Sequence, residues 1–221
     1  MKQLLFVGNS FTYYNDLPAM FSRLANAAGF GVQTASVTKG GWSLVRYADP
    51  DDIMYPPLHE AFSSQPWDGI VLQDQSFNPA GNPQGYLSAV RTLCEQLPCR
   101  ERHIIYQTWA YEDGSEKLQS TNLTYPQMHE ALRAACRQAA RQQDALLVPV
   151  GDAFRLCRDT HPEIGLYAPD HYHPSPAGTY LAACVFFGAL SGRSPLELES
   201  IPEVSPDAAV ILRALAHDIL Q

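Results

Sequence analysis

Leu4-Leu5-Phe6-Val7-Gly8-Asn9-Ser10-Phe11-Thr12 is the stretch from which the fold follows. Four apolar residues in a row, stopped by Gly8 and Asn9, form the pattern of a short strand buried on both faces. From Asp16 the spacing changes to that of a helix: Leu17, Met20, Phe21, Leu24 and Ala28 share one face, and Pro18 suits a first turn. Ser10 therefore belongs to the turn between a strand and a helix. Gly-Asn-Ser is ordinary turn chemistry. The same placement would also display a serine nucleophile at the mouth of a sheet. The segment alone leaves both readings open.

The rest of the chain repeats the alternation. Strands are expected at Val32–Val37, Asp68–Gln73, His103–Gln107 and Ala145–Val150. Helices are expected at Met54–Phe62, Tyr86–Leu97, Tyr125–Gln143, from Asp152, at Ala177–Leu190 and at Asp207–Leu220, the last packed on the outside. Strands alternating with helices imply a parallel sheet covered on both faces. The expected fold class is α/β: a three-layer αβα sandwich around a flavodoxin-like, doubly wound, five-stranded parallel sheet of order 2-1-3-4-5. No repeat, low-complexity tract or linker divides the 221 residues, so a single domain over 1–221 is expected.

Composition narrows the partners. Hydrophobic residues are 46% and charged residues 17%, the balance of a chain that buries a core. The formal net charge of −8, with no Lys/Arg-rich run, argues against nucleic acid or an anionic membrane surface. No stretch reaches the roughly 18 apolar residues of a membrane span. Lys2 with Leu4–Val7 mimics the start of a signal peptide, but the apolar run is too short, so a cytoplasmic location is expected. Five cysteines (Cys94, Cys99, Cys136, Cys157, Cys184), scattered and without a CxxC, read as reduced structural thiols.

The topology gathers scattered residues into one place. In the order 2-1-3-4-5 the loops leaving strands 1, 2 and 3 converge on the switch point, where open α/β sheets bind ligands. Those loops carry Gly8-Asn9-Ser10, Gly40-Gly41-Trp42 and Gln73-Asp74-Gln75-Ser76. Acyl transfer from a serine needs such a set: an attacking oxygen, and donors aimed where the carbonyl oxygen becomes an anion. A base appears late, in Asp170-His171-Tyr172-His173-Pro174. One turn at that spacing can set the Asp170 carboxylate on His173 Nδ1–H and leave Nε2 to take the serine proton. A helix N-cap region, or a metal site built from Asp170, His171 and His173, would use the same residue types. His171 sits beside Asp170 in sequence, an awkward geometry for the same pairing, so His173 is the preferred base. His59, His103, His129 and His161 read as surface or packing residues.

At these residues the chain resembles the SGNH hydrolase (GDSL-like esterase/lipase) superfamily. Gly8-Asn9-Ser10-Phe11 is similar to its first block, with Asn9 where the family often has Asp. Gly41, next to Gly40, is similar to the oxyanion glycine, and Asp170 to Pro174 to the terminal block. The family's Gly-x-Asn-Asp stands here as Gln73-Asp74-Gln75-Ser76, so the chain resembles a divergent branch. By register Gln75 takes the asparagine's place, with Gln73 the competing residue. The resemblance implies a Ser10–His173–Asp170 triad and an oxyanion hole made of Ser10 N–H, Gly41 N–H and the Gln75 side chain. It implies no metal and no organic cofactor.

Substrate class is read from the aromatics that follow the strands: Tyr13 and Tyr14, Trp42, Phe77, Trp109 and Tyr111. Around a crevice they would stack on sugar rings; packing of loops on the sheet is the competing use. Of these, Tyr13, Trp42, Phe77 and Trp109 are the candidate substrate-binding residues. A small acyl group, acetyl first, on a carbohydrate is the leading expectation. A short-chain ester or lysophospholipid is the next, and the absence of a long apolar lid argues against a triacylglycerol lipase. A ligand-binding protein with a degraded site on the same fold is the non-catalytic alternative.

Overall fold

The computed structural model describes residues 1–221. β1 (Lys2–Gly8) lies at the centre of a five-stranded sheet, beside β2 (Val32–Thr38) and β3 (Gly69–Leu72). β4 (Arg102–Tyr106) and β5 (Leu146–Val148) complete the order β2-β1-β3-β4-β5, and every pairing is parallel. The expected topology is the one observed.

Two faces of the sheet build two cores, because successive side chains of a strand point to opposite sides. Leu4 and Phe6 of β1, Val71 of β3 and Ile104 of β4 face one core. Leu5 and Val7, with Ile70, Leu72 and Ile105, face the other. The first is covered by α2 (Leu17–Ala27), α9 (Val150–Thr160), α10 (Pro176–Ser191) and α11 (Pro206–Asp218). The second is covered by α3 (Leu44–Tyr47), α4 (Tyr55–Ser63) and α6 (Pro83–Gln96). The long α8 (Tyr125–Gln142) gives its N-terminal half to the first and its C-terminal alanines to the second. α10 is buried from Gly178 to Gly188, and a helix apolar all round is an interior helix.

Short helices at the ends of the strands are the main departure from the expected elements. Ser10 opens a one-turn helix, α1 (Ser10–Tyr13), where a plain turn is expected. α5 (Asn78–Gly81) and α7 (Glu116–Gln119), with α3, are likewise single turns. They are too short to carry a hydrophobic period and are held by tertiary contacts. α9 also begins two residues before Asp152, and β5 is only three residues long.

Candidate active site

Gly8 lets the first loop pass close beneath its neighbour. A Cβ there would meet Gln73 Oε1 at 2.5 Å and Thr12 Oγ1 at 2.6 Å, so only glycine fits. Asn9 follows as the N-cap of α1, accepting Phe11 N–H on Oδ1 at 3.1 Å. Its Nδ2 donates to the Trp42 carbonyl at 2.9 Å, and its Oδ1 also accepts Gln73 Nε2 at 3.0 Å. One buried amide thus ties the turn that carries Ser10 to the loops after β2 and β3. Ser10 is the first residue of α1, where the backbone N–H has no acceptor inside the helix.

Gln73 and Gln75 have different tasks. Gln73 is fully buried; Oε1 accepts Asn9 N–H at 2.9 Å and Thr12 Oγ1–H at 2.8 Å, while Nε2 donates to Asn9 and to the Asp74 carbonyl. It is an internal brace with nothing left to offer a substrate. Gln75 is half-buried and lines the crevice. Its Oε1 accepts both Phe77 N–H and Asn78 N–H at 3.1 Å, which fixes the amide; Nε2 makes a long contact, 3.4 Å, to Ser76 Oγ, and the side chain lies beside the Tyr111 hydroxyl. Gly41 has φ +72°, lines the same crevice, and its N–H makes no backbone hydrogen bond.

The Asp170–His173 pair is built locally. Asp170 Oδ1 accepts the backbone N–H of Tyr172 at 3.2 Å and of His173 at 3.0 Å, and Oδ2 accepts His173 Nδ1–H at 2.7 Å. Burial alone would raise the Asp170 carboxyl. The bonds from His173 and Tyr172 outweigh it and hold the group below the usual carboxylate range. His173 is 7% exposed, with Tyr14 stacked on its ring at 3.9 Å and the edge of Phe11 at 5.6 Å. With Nδ1–H donated to Asp170, Nε2 is the acceptor end of the ring, and it is buried without a partner. Ser10 and His173 line one crevice of about 280 Å³, unbonded to each other in this conformation. A depression of about 680 Å³ adjoins it and shares Lys117 and Tyr172.

The structure brings Ser10, Asp170, His173, Gly41, Gln75 and Tyr13 to this one place, Asp170 through its bond to His173. It corrects three of the aromatic assignments. Trp109 is fully buried, stacked between Phe11 at 4.8 Å and Phe154 at 4.1 Å, with its indole N–H on the Tyr172 carbonyl. It supports the Asp170–His173 loop from beneath and is closed off from the surface. Trp42 donates its indole N–H to Asp52 at 2.8 Å under the Arg46 guanidinium, and lies outside the crevice lining. Phe77 folds over Gly81 and packs on the first core. His171 has φ +64° and pairs through Nδ1 with Glu112 at 2.7 Å, which leaves Asp170 to His173.

Three residues, Asn15, Lys117 and Asp74, carry no functional signal in the sequence. Asn15 and Asp16 both adopt left-handed φ, 51° and 50°, between α1 and α2. Asn15 Nδ2 donates to the Pro174 carbonyl at 3.0 Å and Thr179 Oγ1 at 2.9 Å, and so joins the segment after Ser10 to the segment after His173. Lys117 reaches the crevice from α7 and lies 4.8 Å over the Tyr172 ring. Asp74 is a buried carboxylate between the two glutamines, and burial pushes it up to about 6.

The fold is a three-layer αβα sandwich around a five-stranded parallel sheet. A protein from Slackia heliotrinireducens assigned to the SGNH hydrolases is 31% identical, with a TM-score of 0.75 over 86% of this chain and 98% of its own. The chain belongs to the SGNH hydrolases. A DUF4886 family protein from Bacteroides uniformis shares the fold over 99% of this chain and 94% of its own, with a TM-score of 0.86 at 21% identity. An acetylxylan esterase from Geobacillus stearothermophilus shares it over 86% and 94%, with a TM-score of 0.63 at 17% identity. No family model and no curated protein matches the chain.

Proposed function

We propose that the chain, as one domain over residues 1–221, is a serine esterase that removes small acyl groups, acetyl first, from a carbohydrate. The observation that carries the reading is His173. Its Nδ1 is on Asp170 at 2.7 Å, its Nε2 is without a partner, and its side chain lines the crevice that also holds Ser10, Gly41 and Gln75.

Ser10 Oγ attacks the ester carbonyl as Nε2 takes its proton, and Asp170 keeps the imidazole in the required tautomer and stabilises the imidazolium. The oxyanion accepts from Ser10 N–H, Gly41 N–H and Gln75 Nε2. His173 then gives its proton to the departing alkoxide, leaving an acyl-Ser10. Water, deprotonated by the same nitrogen, attacks the acyl carbon; the acid leaves and Ser10 recovers its proton. Apart from the substrate and one water, each step uses groups of this chain. A crevice of about 280 Å³ suits a short acyl group and part of a sugar ring, and Tyr13 and Tyr172 offer it faces. The acetylxylan esterase of similar fold supports acetylated sugars as the first substrates to assay.

The test is a panel of p-nitrophenyl acetate, butyrate and longer esters beside acetylated sugars. The acetyl ester should be fastest, and a fluorophosphonate should label Ser10 in the wild type but not in His173→Ala. A wild type inert toward the whole panel, or Ser10→Ala with near-normal turnover, ends the reading.

A further inference from the structure

Asp74 performs no step in the mechanism above, yet three elements meet on its buried carboxylate. Oδ1 accepts Leu44 N–H at 2.8 Å, at the start of α3, three residues after Gly41. The same oxygen accepts Gln75 N–H at 2.6 Å. Oδ2 accepts Asn78 Nδ2 at 2.7 Å, and Asn78 N–H is one of the two donors that fix Gln75 Oε1. The Gly41 loop is therefore held on one side by Asn9, through Trp42, and on the other by Asp74. Gln75 is held by Asp74 at its backbone and, through Asn78, at its amide.

We propose that Asp74 is the positioning residue of the oxyanion hole, clamping the Gly41 and Gln75 donors into one geometry. This rests on the esterase reading above. The carboxylate lies 30 residues from Leu44 in sequence, so the bond joins loops that no local structure would hold in register. Such donors are effective only when fixed at the position of the developing charge. A neutral side chain could brace the loops as Gln73 does. A carboxylate adds stronger, shorter bonds to each N–H.

Nothing around Asp74 neutralises it. Its charge is felt by Tyr86 of α6 and Cys136 of α8, both pushed up by burial and hence uncharged, and no cation contributes to its own balance. Burial accordingly raises the carboxyl to about 6 against the pull of its three bonds. Protonation puts a hydrogen where an N–H must be received, so the clamp slackens as pH falls through that value.

Steady-state kinetics on p-nitrophenyl acetate tests the clamp with Asp74→Ala, Asp74→Asn and the pair Asp74→Asn/Asn78→Asp. Loss of one oxyanion donor costs about 10²–10³ in kcat, and a loosened pair should cost about tenfold to a hundredfold in Asp74→Ala, with KM within about twofold. Asp74→Asn keeps the Oδ1 acceptor but sets two amide nitrogens against each other, and should retain an intermediate kcat. The pair restores a donor opposite an acceptor and should recover most of it. Folded Asp74→Ala with wild-type kcat, or a paired variant no better than Asp74→Asn, overturns the proposal. A second measurement needs no activity. In His173→Ala, where that imidazole is gone, the Leu44 and Gln75 amide resonances should titrate together with a midpoint near 6. Leu44 and Gln75 amides that titrate with different midpoints overturn the clamp. An enzyme inert toward every ester would end the esterase reading, while the amide titration would still report on Asp74.

Discussion

The two halves of the site are made in opposite ways. The half that carries the proposed base is one loop: Asp170 and His173 are three residues apart, and the carboxylate collects the Tyr172 and His173 N–H groups along with Nδ1. The half that carries Ser10, Gly41 and Gln75 is a long-range assembly. Asn9, Gln73, Asp74 and Gln75 join loops 30 to 64 residues apart, and the bonds exist only because β2 and β3 flank β1. A local turn survives most changes elsewhere in the chain. A convergence of three loops fails when any one of them moves.

The comparison is tested hardest at its two reacting ends. Ser10→Ala and His173→Ala should each lower kcat by at least about 10³-fold, since members of a triad act as a unit. Asp170→Asn should cost about as much or somewhat less. Melting curves should hardly move for Ser10→Ala, and EDTA should leave the wild-type rate unchanged. Turnover that survives either alanine change would dissolve the distinction between the halves.

Next in size is the contrast between the glutamines. Gln75→Ala should lower kcat by about 10²–10³ with KM nearly unchanged and stability within about 0.5 kcal/mol. Gln75→Glu should be at least as harmful, because a carboxylate repels the oxyanion. Gln73→Ala removes a buried brace and strands Asn9 N–H and the Thr12 hydroxyl. It should cost about 2–4 kcal/mol of stability, read as a lowered Tm. A large kcat loss at Gln73 with Gln75 silent would exchange their roles.

The local half and the sheet were legible in the sequence for the same reason. Leu4–Val7 is a run without alternation, and Asp-x-x-His is a contact within one turn; both signals lie inside a few residues. The long-range half was legible only as residue types in converging loops. Which amide is free, Gln73 or Gln75, depends on where Asn9 and Thr12 sit. Asp74 gave no sign at all, because Gln-Asp-Gln-Ser is also ordinary loop composition. Trp109 misled for a related reason. An aromatic after a strand reads as a loop residue until Phe11 and Phe154, 98 and 45 positions away, close on its two faces.

Asn15 is where the halves are joined, so altering it should perturb both. Asn15→Ala loses the bonds to Pro174 and Thr179 and forces an alanine into a left-handed conformation costing about 1–2 kcal/mol. Stability should fall by about 2–3 kcal/mol with the bonds included. kcat should fall by about tenfold, because small displacements between nucleophile and base are costly. Asn15→Gly tolerates the backbone and separates the two effects: Tm should recover in part while kcat remains low. If both recover, the link matters only for the backbone turn.

The smallest effect is expected at His171, the histidine nearest Asp170 in sequence. Its side chain is 59% exposed, its Nδ1 partner is Glu112, and the pair lies at the surface, where ion pairs contribute about 0–1 kcal/mol. His171→Ala should leave kcat within about twofold. His171→Gly accepts φ +64° without a Cβ, offsetting the entropy glycine gains when unfolded, so its stability should match the wild type within about 1 kcal/mol. The adjoining depression is lined in part by His171, so a larger, sugar-bearing ester should reveal more of the residue than p-nitrophenyl acetate does. The expected change there is a KM rise with kcat preserved, the mark of uniform binding. A drop in kcat on the small ester, larger for His171→Ala than for His173→Ala, would move the base by two residues and with it the local half of the site.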